Sequence, residues 1–420
     1  MKRLYFLLMA LLKWMVLLIP LSVVIGSASA FFLWSMKWVT LTRLENLWLL
    51  YLLPLGGLLT GVLYHFYGAN AGAGNNLLID EIHQPGAGVP RRMAPLVLLC
   101  TLITHLFGGS AGREGTAVQM GGGIAATFAR MFKLDAGTVR ILLMAGVAAG
   151  FGSVFGTPLA GAVFALEVLV IGRIQYDALI PCFFSSVLAD WTTYAWGIHH
   201  SAYRMNVIAQ GFHTDLWLLG KSIVGGVLFG AAGWLFATAT HRVSDGFKKW
   251  IPSAPFRPFA GGVIVIFLFW IAGTPDYLGI GDVSNHAGAA TIGAFFTDPS
   301  LPVSAWLWKL VFTAVTVGCG MKGGEVTPLF FIGAALGNAL SGMMGVPVDF
   351  FAALGFVAIF AAATNTPIAS TLLGIELFGA GNGIYLATAC IVAYCFSGHR
   401  GIYSAQKVAF PKFRGYLPGK

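Results

Sequence analysis

The chain has 420 residues, 57% of them hydrophobic and 10% charged, with a mean hydropathy of +0.79. A soluble domain carries about a quarter charged residues, so that class is excluded and an integral membrane protein is implied. The formal charge of +9 does not point to nucleic acid, because the basic residues stand in short polar segments between apolar runs, as cytoplasmic-side charges do in a multi-pass protein.

A spanning helix needs about 20 apolar residues. Apolar runs recur over 4–33, 46–67, 94–109, 117–132, 139–171, 177–197, 215–240, 258–273, 301–321, 327–346 and 350–397, several of them too short or too long for one simple span. Gly supplies 55 residues, well above the usual share of about 7%. Small residues let helices approach closely, and Gly lets backbone break where it lines a cavity, so a compact bundle with broken helices is expected. The first 30 residues resemble a secretory leader, with Lys2 and Arg3 before an apolar run and SASA before Phe31. That run contains Lys13 and Pro20 and continues past the small residues, which predicts an uncleaved first helix.

GAGNNLLIDE at 72–81 reads as a Gly-rich loop feeding a short helix, where Asn75 and Asn76 offer amide donors suited to a small hard anion. Ordinary loop chemistry accounts for Gly-Asn equally well. Next comes GREGTAVQMGGG at 112–123, which sets Glu114 among glycines and apolar residues. A carboxylate brought into a bilayer costs roughly 3 kcal/mol or more, so Glu114 must act on something or pair with something. It stands at a helix start, where it can accept the helix's own free N–H groups; Arg113 beside it is a candidate permanent partner. Glu167 lies deep in the apolar segment that follows Thr157-Pro158. His199 and His200 belong to no HExxH and no His/carboxylate cluster at ligand spacing, so no metal site is expected, and no phosphate-binding GxxxxGK[ST] occurs. The cysteines, Cys100, Cys182, Cys319, Cys390 and Cys395, lie in apolar surroundings without CxxC spacing and read as buried free thiols. Lys2 and Arg3, Arg91 and Arg92, the segment 241–257 and the tail from Arg400 to Lys420 are placed on the cytoplasmic side.

The second half repeats the first. GREGTAVQMGG at 112–122 matches GGEVTPLFFIG at 323–333, setting Glu114 on Glu325, Thr116 on Thr327 and Gly122 on Gly333. GTPLAGAVFALEV at 156–168 matches NTPIASTLLGIEL at 365–377, pairing Thr157 with Thr366, Pro158 with Pro367 and Glu167 with Glu376. Paired halves place a substrate site near the bilayer midplane, where broken helices from both halves meet. Each block opens with Gly before an apolar helix, so two helix N-termini with free N–H groups converge, and such ends attract anions. Glu325 and Thr327 share the ambiguity of Glu114 between cap and ion handling. The recurrence of Glu167 and Glu376 suggests a shared fold role, such as a backbone contact. Tyr403 in RGIYSAQ follows the last apolar run; its hydroxyl can donate to an anion, or the ring can serve as an interfacial anchor.

With these motifs the chain resembles the CLC family of chloride channels and anion/proton antiporters over essentially its full length. GREGTAVQ is similar to the GREGP signature, whose Glu gates and carries the proton, a role the resemblance gives to Glu114. GGEVTP at 323–328 is similar to the GxFxP helix start, which implies anion contacts from the backbone of Val326, and of Gly115 and Thr116 in the first block. GAGNNL corresponds to the GSGIP segment and sets Asn75 where most relatives have an anion-coordinating Ser, while GIYSA sets Tyr403 at the second side-chain ligand.

Departures from the pattern are Asn75 for Ser, Thr116 for the Pro after GREG, Val326 for Phe with Glu325 before it, and Val168 where chloride antiporters carry an inner proton-transfer Glu. Together they resemble the CLC-F clade of bacterial fluoride/proton antiporters, in which Glu325 and Thr327 would take part in ion handling and Glu114 would swing to carry the proton inward. Fluoride holds water more tightly than chloride, so an amide donor suits it. The resemblance implies an all-α integral membrane fold of two inverted repeats, 1–205 and 206–420, with broken and re-entrant helices. It implies a homodimer in the bacterial inner membrane, without metal or cofactor, that exports fluoride against protons; a chloride or broad-anion exchanger or channel is the alternative. An intramembrane enzyme using Glu114 and Glu325 as an acid/base pair would need a nucleophile or metal beside them.

Overall fold

The structure, a computed structural model, describes residues 2–413 except 87, 201, 202 and 207–214. Residues 414–420 of the basic tail lie outside the described residues. The first half contains α1 (Lys2–Glu45), α2 (Leu53–Tyr67), α3 (Asn75–His83), α4 (Met93–Leu106), α5 (Glu114–Met131), α6 (Ala136–Phe155), α7 (Pro158–Glu167), the short strand β1 (Val170–Ile171) and α8 (Leu179–Ala195). The second contains α9 (Leu216–Trp250), α10 (Phe256–Ala272), α11 (Ala305–Gly318), α12 (Val326–Met344), α13 (Val348–Thr364), α14 (Pro367–Phe378), α15 (Gly383–Phe396) and the strand β2 (Lys407–Val408).

Backbone chemistry divides the long apolar runs. The run 139–171 becomes α6 and α7 because Gly156 takes a left-handed φ of 71°, ending one helix, and Pro158 opens the next. The run 350–397 breaks the same way, at Asn365 with φ 59° and Pro367, and again at Gly379 with φ 87°. At the other end of the chain, the first run extends into a helix of 44 residues that passes through Pro20. Within the described residues, five helices are long and apolar enough to cross a membrane, Leu12–Glu45, Leu47–Tyr67, Ala136–Phe155, Leu216–Trp250 and Val326–Met344. The 10 residues of α7 and the 14 of α4 fall short of the ~20 that a span needs, so these helices end inside the protein.

Glycines set how closely the central helices cross. A Cβ on Gly121 would strike the carbonyl of Gly146, and one on Gly150 that of Ala117, which locks α5 against α6. The second half repeats the crossing with Gly333 against Gly355 and Gly337 against Phe351, locking α12 against α13. Around these contacts lies a core of small and aromatic side chains, including Phe151, Phe164, Phe330 and Phe360. The last described segment folds back under the bundle, where β2 pairs in parallel with β1 through Val170–Lys407 and Ile171–Val408.

Candidate functional site

The starts of α5 and α12 meet at the centre of the bundle. Gly112 and Gly324 form an isolated antiparallel bridge, the Gly112 N–H donating to the Gly324 carbonyl at 2.5 Å and the Gly324 N–H to the Gly112 carbonyl at 2.6 Å. Only glycine fits there: a Cβ on Gly324 would lie 2.7 Å from the Gly115 nitrogen, and one on Gly112 would lie 2.9 Å from Glu114 Oε2.

Glu114 opens α5 and is fully buried. Its Oε2 accepts from the Thr327 N–H at 3.1 Å, from the Thr327 hydroxyl, and from the Arg113 N–H at 3.2 Å. Its Oε1 accepts from Arg113 Nε at 3.3 Å. Of the two readings open to Glu114, the cap on its own helix does not form. Its carboxylate reaches across to the second residue of α12, because the Gly112–Gly324 bridge sets that N-terminus directly before it. Charge-assisted bonds of this kind contribute about 1.5–3 kcal/mol each and offset much of the cost of burying the charge.

Glu325 does not reciprocate. It is half-buried and lines a cavity of about 630 Å³ together with Asn75, Gln119, Lys322 and Tyr403. Among the described residues no side-chain carboxylate accepts from the first turn of α5, so the N–H groups of Gly115 and Thr116 keep the unfilled valence of a helix start. The Thr116 hydroxyl turns away, to Thr101 Oγ1 at 2.8 Å.

The two asparagines face different ways. Asn75 Nδ2 lies 3.3 Å from where a Cβ on Gly115 would stand, and its Oδ1 is buried without a partner. Asn76 turns the other way and accepts from the Ala405 N–H at 3.0 Å, tying down the segment that carries Tyr403. The Tyr403 ring is buried edge-on against Phe164, with centroids 6.4 Å apart, and it borders the 630 Å³ cavity next to Asn75. A small apolar recess of about 20 Å³ also lies between Asn75 and Tyr403. Val326, first residue of α12, is buried at the same junction as Thr327.

A second cavity, of about 440 Å³, reaches Arg113 and is lined by Lys37, His199, His200 and Asp282. It lies at the opposite end of the bundle from the first: α2 starts beside the end of α1, on this side, and its last turn brings Tyr64 and His65 to the larger cavity. Glu114 lines neither. Its chain neighbours reach each of them, Arg113 lining the smaller cavity and Gly115 packing against Asn75, which lines the larger.

Glu167 and Glu376 perform the fold role expected of them. Glu167 accepts from the N–H groups of Ile368 at 3.1 Å and Ala369 at 2.8 Å, and Glu376 from those of Leu159 at 2.9 Å and Ala160 at 2.8 Å. Each carboxylate closes the N-terminus of the other half's helix. Sequence reasoning missed Gln119 and Lys322. Gln119 stands one turn after Gly115 and so shares its face, a signal of helical spacing; Lys322, with its ammonium 4.1 Å from the Tyr64 ring centroid, was legible only as a charge set close to Glu325.

Residues 56–398 match the family model described as voltage gated chloride channel. The chain is 47% identical to the chloride/fluoride channel protein of Pseudomonas syringae pv. tomato, over 97% of this chain and 89% of that one. It is 29% identical to a putative chloride channel protein, ClcB-like, of Ralstonia nicotianae, over 75% and 73% of the two chains. Among solved structures it is similar to a CLC-type fluoride/proton antiporter, with TM-score 0.89, 34% identity and coverage of 95% of this chain and 98% of that one. A slow cyanobacterial Cl−/H+ antiporter shares the fold at TM-score 0.79 and 22% identity, over 93% and 96% of the chains.

Proposed function

The chain belongs to the voltage-gated chloride channel family, and from that premise we propose that it is a secondary antiporter that moves fluoride one way and protons the other. The observation that carries this reading is Glu114. A fully buried carboxylate, held by donors at the start of α12 and flanked by residues that reach two cavities, occupies the place an anion would take.

Ionised, Glu114 accepts from the Thr327 N–H, the Thr327 hydroxyl and the Arg113 N–H. Protonation removes its charge and weakens those bonds, which frees the donors for a mobile anion. Carboxylate and fluoride thus compete for one set of N–H and O–H groups, and the proton carried off by Glu114 is the counter-ion of the exchange. Gly115, Thr116 and Val326 supply backbone N–H groups, Asn75 an amide and Tyr403 a hydroxyl, donors strong enough to replace the water of a small hard anion. Glu325 and Thr327 flank the route, Thr327 beside Glu114 and Glu325 at the rim of the larger cavity. In this reading the larger cavity faces the cytoplasm, since Lys248, Arg257 and Lys322 line it, in accord with the positive-inside rule. Residues 1–205 and 206–420 act as inverted halves of one subunit of an inner-membrane homodimer, with the tail cytoplasmic.

Side-by-side fluoride and chloride flux in proteoliposomes, with proton movement recorded, tests the assignment. Fluoride-driven proton movement well above that driven by chloride is expected; equal movement with both ions, or none, overturns it in favour of a broad-anion exchanger or channel. Asn75→Ser is expected to lower the fluoride/chloride flux ratio by about 10-fold, the scale of one well-placed polar contact.

A further inference from the structure

Among the described residues, two buried cations have no carboxylate against them. Arg43, in the last turn of α1, is 3% exposed, and its Nε and Nη1 have no hydrogen-bond partner. Lys309, in α11, is fully buried, and its ammonium donates only to the carbonyls of Tyr277 at 3.3 Å and Gly279 at 2.7 Å. Among the described residues neither forms an ion pair. They are neighbours across Gly279, whose carbonyl accepts from Lys309 at 2.7 Å while its α-carbon packs on the Arg43 guanidinium.

One glycine-rich loop wraps both cations. A Cβ on Gly279 would stand 3.1 Å from Arg43 Nη2, and one on Gly281 would stand 3.4 Å from Lys309 Nζ. The two acids of that loop pair elsewhere or not at all: Asp276 accepts from His286 and from the Ala290 N–H, and Asp282 lines the 440 Å³ cavity without an ion pair to either cation. Two like charges buried together are costly unless something neutralises them, and orphan N–H groups in a folded interior mark a bound ion or water. The free donors of Arg43 lie one helical turn from Thr40 and beside the loop bearing Ile280, both of which line that cavity.

We propose that Arg43, next to Lys309, holds a small inorganic anion of the halide class at a second site, off the route through Glu114. The bound anion offsets the charge of Arg43, leaves Lys309 to its two carbonyls, and fastens the end of α1 to the loop at 277–281. Nothing in this rests on fluoride transport, because Arg43 and Lys309 lie outside the residues assigned to that route.

The test compares thermal unfolding of the full-length protein and Arg43→Met in sodium fluoride, sodium chloride and sodium gluconate. Halide is expected to raise the wild-type unfolding temperature, and the shift should fall by at least half in Arg43→Met, which should be as stable as wild type or more so in gluconate. Equal halide shifts in the two proteins overturn the proposal. Should Arg43→Met fail to fold, crystals of the wild type soaked in bromide decide. An anomalous peak in contact with the Arg43 guanidinium supports the site, and its absence, or density unchanged in gluconate, identifies a water and overturns it. The variant keeps Glu114, Asn75 and Tyr403, so failure of the transport reading would leave this comparison intact.

Discussion

The duplicated glutamates meet opposite fates at two places in the bundle. Glu167 and Glu376 are equivalent in sequence and in structure, each giving both carboxylate oxygens to two N–H groups of the other half's helix. Glu114 and Glu325 are equivalent in sequence only: Glu114 occupies the start of α12, while Glu325 opens onto a cavity and leaves the start of α5 uncovered. Where both helix ends are closed by protein, nothing remains for an ion to bind. Where one is closed by the Glu114 carboxylate and the other is open beside Asn75, the same helix-end chemistry is what the proposed exchange would use. Symmetry here serves the fold, and its loss is what the proposed function rests on.

The comparison breaks most severely at Glu114. Glu114→Gln keeps the shape but cannot carry a proton, so proton movement coupled to fluoride is expected to fall by about 100-fold or more in liposomes; undiminished coupling would mean that another group carries the proton. Next comes the bridge that sets the asymmetry in place. Gly324→Ala drives a Cβ to 2.7 Å from the Gly115 nitrogen, prising the two helix starts apart, and fluoride flux is expected to fall about 10-fold or more. Gly220→Ala, whose Cβ would meet nothing within 4 Å, should leave flux unchanged.

The symmetric pair sharpens the contrast from the other side. Glu167→Gln replaces two charge-assisted bonds with a single neutral one and sets an amide donor against an N–H, a loss of about 1.5–3 kcal/mol. The expected result is a lower unfolding temperature with an unchanged ratio of protons to fluoride, and a smaller drop for Glu376→Gln, whose side chain is only half-buried. A changed ratio in either variant would place these acids on the proton route after all.

How much of this could be read from the chain alone follows from the range of the forces involved. The breaks at Gly156-Thr157-Pro158 and Asn365-Thr366-Pro367 are local backbone chemistry, so the sequence repeat exposed them and the shared helix starts together. The partner of Glu114 was not legible, because Thr327 lies 213 residues away and reaches it only through the register of the Gly112–Gly324 bridge. Asn75 and Asn76 are adjacent and chemically identical; only the packing of α3 decides that one faces Gly115 and the other the Tyr403 segment. Arg43 carries no signal in the sequence, standing in the stretch between the first two apolar runs. Its burial depends on the loop at 277–281, more than two hundred residues on.

The finest test lies in that pair of asparagines. Asn76 touches no residue assigned to the ion, yet its bond to the Ala405 N–H at 3.0 Å fixes the segment two residues beyond Tyr403. One neutral hydrogen bond contributes about 1 kcal/mol, so Asn76→Ala should cost only a few-fold in apparent fluoride affinity as the Tyr403 hydroxyl loses its fixed place. Proton stoichiometry should not move, because Glu114 and its donors on α12 are untouched. A change in stoichiometry instead of affinity would mean that Tyr403 guides the swing of Glu114 as well as the anion, joining the two halves of the exchange at one hydroxyl.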